Sequence, residues 1–215
     1  MMQYTDRVTH SLICIAVYIG WFALSFLLIF FPNAVELYRA NLALPVLFIL
    51  IWLPYSLLCW SSYQKKFNLM PLGKLRLVDL VLPALAVFTL MCIHGVLGRE
   101  ESWISNLADL SGITLFLYII SMCIAAPIIE EIVFRGFLLN AGIGYGKIGK
   151  NIAIIIASLL FSAAHMQYSS PTTFIMLFVF SVILCHVRIY TRSLITPIVL
   201  HALYNTFISV ILFYY

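Results

Sequence analysis

Continuous apolar runs of bilayer-crossing length are what most restrict the folds open to this chain. Crossing roughly 30 Å of hydrocarbon takes about 20 mostly apolar residues. Seven such runs follow one another, at about 11–32, 43–61, 77–97, 112–139, 152–168, 172–189 and 194–214. They are continuous rather than alternating, which points to helices and not to a barrel, because backbone polar groups in lipid must pair within their own segment. The expected fold class is therefore all-α: a polytopic transmembrane bundle of about seven spans, or eight if the fourth run is divided. That fourth run is long and carries Pro127, Glu130, Glu131 and Arg135, which fits a tilted helix, a kinked one or two pieces.

Composition agrees. Of 215 residues, 64% are hydrophobic and 9% charged, and the mean hydropathy is +1.08, whereas a soluble domain carries about 25% charged residues. A soluble enzyme is excluded, and the expectation is one membrane domain over 1–215 in an integral membrane protein of a bacterial cell membrane. The net charge of +4 does not indicate a nucleic-acid partner, because its position in the loops accounts for it. Lys65, Lys66, Lys74 and Arg76 lie between the second and third runs, Lys147 and Lys150 after the fourth, and Arg188 and Arg192 after the sixth. By the positive-inside rule these loops are cytoplasmic, which puts the amino terminus inside and the carboxyl terminus outside. The opposite loops hold Glu36 with Arg39, then Arg99, Glu100, Glu101 and Asp109, read as charges that only set topology. The first run is twice the length of a signal-peptide core and reads as a retained anchor. Tyr214 and Tyr215 read as interfacial anchors of the last span.

Cys14, Cys59, Cys92, Cys123 and Cys185 all fall in apolar runs without a CxxC pair, so they read as small buried hydrophobes rather than disulfides or zinc ligands. The last four residues, Leu212 to Tyr215, lack cysteine, so the chain is not itself a prenylation target.

Ionisable groups inside a span cost about 2.5–3.5 kcal/mol each on insertion scales, so a cluster of them needs a reason. Glu131 and Arg135 are four apart on one helix face and can pair, while Glu130 points about 100° away and stays available as a general base. Downstream, Phe161 with His165 and His201 with Asn205 repeat the spacing of four. A glutamate, two histidines and an asparagine converging from three helices could position a water and bind an oxyanion, the minimum for amide hydrolysis. His94 and His186 lack polar companions in the sequence and read as structural or interfacial. HExxH and GxSxG are absent, the nearest to a serine motif being Asp109-Leu110-Ser111-Gly112, and Gly142-Ile143-Gly144-Tyr145-Gly146 reads as an interhelical loop.

The order EExxxR (Glu130 to Arg135), FxxxH (Phe161 to His165) and HxxxN (His201 to Asn205) resembles the CAAX protease and bacteriocin-processing family, also called ABI. These are intramembrane endopeptidases that include type II prenyl-protein CAAX proteases and bacterial relatives tied to bacteriocin maturation or self-immunity. The resemblance covers roughly residues 120–206. It implies that Glu130 and His165 activate the attacking water, that His201 and Asn205 bind the oxyanion, and that Glu131 and Arg135 order the site. It further implies a peptide or lipidated protein substrate in or beside membrane lipid. The expected cofactor is none, with zinc on Glu130, His165 and His201 as the alternative. One departure is Arg192, where family members commonly carry glycine. The compact chain favours peptide maturation or self-immunity. Two rivals stand beside hydrolysis: a non-catalytic membrane immunity factor or scaffold that retains the motif residues, and a proton- or ion-coupled transporter, which the small size and the lack of paired half-helix repeats disfavour.

Overall fold

The computed structural model describes residues 4–98, 101 and 110–214. Among these, seven helices are long and apolar enough to cross a membrane: α1 (Asp6–Phe30), α2 (Ala43–Phe67), α3 (Leu77–Leu97), α4 (Gly112–Ile143), α5 (Gly146–Ala163), α6 (Pro171–Thr191) and α7 (Ile195–Leu212). The seven spans expected from hydropathy are thus present, and no strand occurs among the described residues. Arg99, Glu100 and Asp109, assigned to a topology-setting loop, and the anchor Tyr215 lie outside the described residues, as does the side chain of Tyr214.

Helix α4 is the axis of the bundle. At 32 residues it is about 48 Å long at 1.5 Å per residue, more than one bilayer crossing, and it is one continuous helix rather than two. It packs against α1, α2, α5, α6 and α7. Its middle is fully enclosed, with Ile129, Val133, Phe134, Phe161 of α5 and Phe180 and Leu184 of α6 in one core. Most other large apolar side chains face outward, Leu82 and Val96 of α3 being 75% and 83% exposed. That is the pattern of a helix apolar all round, and it places α3 against lipid.

Two stretches of α4, Ser121–Ala125 and Glu131–Leu138, widen to the π-helical repeat, with hydrogen bonds five residues back. Pro127 lies between them. Proline has no N–H and its ring crowds the carbonyl four residues earlier, so an unbroken α-helical ladder is impossible there. The wider repeat accommodates it, and such bulges concentrate at functional sites.

On the side where the basic residues lie, the segment after α2 runs beside the start of α7: Leu194 N–H bonds to Pro71 O at 3.3 Å, Ile195 N–H to Leu72 O at 2.9 Å and Ser193 Oγ to Leu72 O at 2.8 Å. Gly73 allows this approach, since it has φ +77° and a Cβ there would fall 2.5 Å from Ser193. One sequence reading changes here. Arg188 is not a loop charge but sits buried in the last turn of α6, its NH2 reaching Leu69 O at 3.4 Å. Arg192 caps α6 with φ +53° and ψ +28°. That left-handed conformation is the one glycine adopts without strain, which is the physical reason glycine suits the position. Of the cysteines, Cys14, Cys123 and Cys185 are buried as expected, but Cys92 is exposed on α3.

Candidate active site

Glu130 and Glu131 enter the bundle centre from α4 on either side of the point where the helix widens. Glu131 and Arg135 are both 0% exposed and joined at 2.9 Å, the pair that the spacing of four predicts. Arg135 also lies over the Phe161 ring, 4.4 Å from its centroid, a desolvated cation–π contact. Phe161 therefore has a role in FxxxH beyond spacing: it is an aromatic plate between the arginine and the two histidine rings, whose centroids lie 4.7 Å (His165) and 6.0 Å (His201) away.

His201, on α7, joins the two glutamates, a link that no sequence spacing reveals. Its Nδ1 lies 2.8 Å from Glu131 Oε1 and its Nε2 3.8 Å from Glu130 Oε2. A carboxylate only accepts, so Nδ1 carries a proton and donates it to Glu131, which turns Nε2 toward Glu130. Glu130 Oε2 has no hydrogen-bond partner among the described residues. His165 stands just past the end of α5, and its Nδ1 lies 2.7 Å from the carbonyl of Phe161. That carbonyl requires the proton on Nδ1, so the neutral ring keeps its lone pair on Nε2. Asn205 Nδ2 donates to the carbonyl of Met122 at 2.8 Å.

Glu130, His165, His201 and Asn205 line one cavity of about 250 Å³, together with Met122, Leu177, Phe180, Tyr118, Tyr168 and Tyr204. Glu131 and Arg135 lie behind it. His165 sits beyond the end of α5, on the segment that turns toward α6. Among the described residues, no three His, Cys, Asp or Glu side chains stand close enough to share a metal ion.

Two cavity-lining residues are corrections to the sequence reading. Glu101, taken as a topology charge, is buried at 5% exposure. Its carboxylate accepts from Ser169 N–H (2.8 Å), Ser169 Oγ (2.9 Å), Ser170 N–H (3.1 Å) and Thr173 Oγ1 (2.7 Å). It thus caps the start of α6, where orphan N–H groups favour an anion. Burial pushes this carboxyl up, but the hydrogen bonds from Ser169, Thr173 and Ser170 outweigh that effect and hold it below its ordinary value. His94, read as lacking polar companions, has Nε2 3.3 Å from Thr173 Oγ1 and lines the same cavity. The Ser169-Ser170-Pro171 start of α6 was the available sign that a helix terminus here would take an acidic partner. His186 is exposed, consistent with an interfacial reading.

Comparison with known proteins adds to this. The family described as type II CAAX prenyl endopeptidase Rce1-like matches residues 112–207. A membrane-embedded CAAX protease, MroQ of Staphylococcus aureus (strain USA300), is 34% identical over 103 residues, 46% of this chain and 39% of its own. An uncharacterized 24.3 kDa protein of Escherichia coli is 36% identical over 94 residues, 44% of this chain and 43% of its own. These matches span less than half the length of either relative. No solved structure matches the chain. The matched segment, less than half of this chain, contains all three motifs together with the motif side chains that line the cavity, and over that segment the chain is similar to the type II CAAX prenyl endopeptidase Rce1-like family.

Proposed function

We propose that this chain is an intramembrane endopeptidase that cleaves a peptide or a lipidated protein within or beside the bilayer, in peptide maturation or self-immunity. The observation that carries the reading is the convergence of Glu130, His165, His201 and Asn205 on one largely apolar cavity with the Glu131–Arg135 pair buried behind. Glu130 removes a proton from water as its oxygen attacks the scissile carbonyl carbon, and His165 Nε2 orients that water. The oxyanion that forms meets His201 Nε2, protonated for this purpose, and the second Nδ2–H of Asn205. Glu130 then returns the proton to the leaving amine as the C–N bond breaks. Glu131 holds the His201 ring through Nδ1, and Arg135 holds Glu131. The apolar walls exclude bulk water and suit an apolar peptide or lipid segment. The similarity to a membrane-embedded CAAX protease supports the substrate class, and the basic loops around Lys65 and Lys147 support a cytoplasmic amino terminus.

The test compares peptides from membrane and secreted fractions of host cells carrying either the intact protein or Glu130→Gln. A cleaved product present only with the intact protein identifies the substrate. Matched peptide profiles, with a phenotype that survives Glu130→Gln, would establish the non-catalytic scaffold or immunity role instead.

A further inference from the structure

The hydrogen bond from Asn205 to Met122 has a cause in the sequence of α4. Within Ser121–Ala125 the backbone repeat is i→i−5, and Ala126 N–H accordingly bonds to Ser121 O. The next donor in that register, the partner due to Met122 O, would be the N–H of Pro127, and proline has none. Met122 therefore presents a carbonyl that neither the residue four ahead nor the residue five ahead serves. Asn205 Nδ2 fills that acceptor at 2.8 Å, from a helix 83 residues away in sequence. Met122 and Asn205 both line the cavity, and Pro127 itself is buried.

A primary amide carries two N–H donors in one plane. Fixing one of them on a backbone carbonyl fixes the plane and the direction of the other. It also settles which way round the amide sits, because a carbonyl can face only the NH2 end. We infer that Pro127 is a positioning residue for Asn205: by withholding an N–H it leaves the Met122 carbonyl open, and that carbonyl aims the second Asn205 N–H into the cavity. Pro127 touches neither substrate nor reacting atoms and acts through Met122. This inference rests on the oxyanion role proposed above for Asn205, while its geometric core does not.

The test restores and then removes one hydrogen. Pro127→Ala returns an N–H to position 127, which then competes with Asn205 for the Met122 carbonyl. Replacing Pro127 with lactic acid by nonsense suppression gives the alanine side chain with an ester oxygen in place of the N–H. The first readout is independent of activity: the side-chain NH2 pair of Asn205 in protein labelled with 15N-asparagine, in detergent micelles, identified by its loss in Asn205→Ala. That pair should shift and broaden in Pro127→Ala and return to its wild-type position with lactic acid. A pair that stays in place in Pro127→Ala overturns the inference.

The second readout is kinetic, on the peptide identified by the Glu130→Gln comparison. Removing an oxyanion donor costs about 10²–10³-fold in kcat, so Asn205→Ala should fall by that order. Pro127→Ala should lose roughly ten- to a hundred-fold in kcat with KM unchanged, and the lactic acid variant should recover it. The double variant Pro127→Ala/Asn205→Ala should be no slower than Asn205→Ala alone, because both act through one hydrogen bond. A wild-type kcat in Pro127→Ala, or losses that multiply in the double variant, would overturn the inference. Misfolding is separable, since alanine is the better helix former and Pro127→Ala should unfold no more easily than wild type. If the wild-type chain cleaves nothing, the protease reading fails, and the NMR pair still decides the geometry.

Discussion

Removing Arg135 should destabilise the protein far more than removing Arg135 and the charge of Glu131 together. The two groups are 2.9 Å apart and both 0% exposed. At an effective dielectric of about 20 their attraction is about 6 kcal/mol, most of which offsets their own desolvation. Arg135→Met keeps the side-chain length but leaves Glu131 as a buried anion whose remaining donor is His201 Nδ1, at 2.8 Å. It also ends the contact of Arg135 with the Phe161 ring. Orphaning one member of a buried pair costs about 3–5 kcal/mol, and the surviving His201 bond puts the expected loss near the lower figure, about 3 kcal/mol. For a chain of this size that corresponds to about 6–12 °C in Tm. Adding Glu131→Gln removes the stranded charge while keeping an acceptor for His201, so the double variant should return to within about 1.5 kcal/mol of wild type. The assay is unfolding in dodecyl maltoside on titration with SDS, followed by circular dichroism, with Tm as a check. If Arg135→Met is as stable as wild type, or the double variant is at least as unstable as the single, then the pair is not what holds the centre of the bundle.

Glu101 should give the protein an acid limb. Because its folded carboxyl lies below the ordinary 4.5, its contribution is fully present above that pH and is lost as pH falls through the lower folded value. Stability measured from pH 6 to 3 should decline less steeply in Glu101→Gln than in wild type, and identical slopes would show that this clamp contributes nothing. Arg192→Gly should raise stability by about 1 kcal/mol, or about 2–4 °C, by relieving the left-handed backbone at the end of α6. An unchanged or lowered Tm would contradict the strain argument. Among the described residues no three ligands stand in reach of one ion, so prolonged dialysis against a strong chelator should leave cleavage intact, and loss that zinc restores would require the cavity to rearrange around a metal.

The parts of this protein that could be read from the sequence are those set by local chemistry. An apolar run of membrane-spanning length must be a helix whatever surrounds it, because lipid offers its backbone no other partner, and so the seven spans were legible. The Glu131–Arg135 pair was legible for a similar reason, since a spacing of four determines which side chains share a helix face. EExxxR, FxxxH and HxxxN marked the candidate site because ionisable groups inside such runs are costly. Long-range placement decided everything else. His201 bridges Glu130 and Glu131 across 70 positions, and Glu101 caps a helix that begins 70 residues after it, neither of which follows from any local spacing. Arg188 looked like a loop charge until the segment after α2 was seen to lie against it. The strain at Arg192 could not be recognised before the chain's turn showed its φ to be positive. Pro127 was visible as a helix disturbance, but not the carbonyl it leaves open or the asparagine that takes it, because a hydrogen bond between helices depends on their packing and not on the order of their residues.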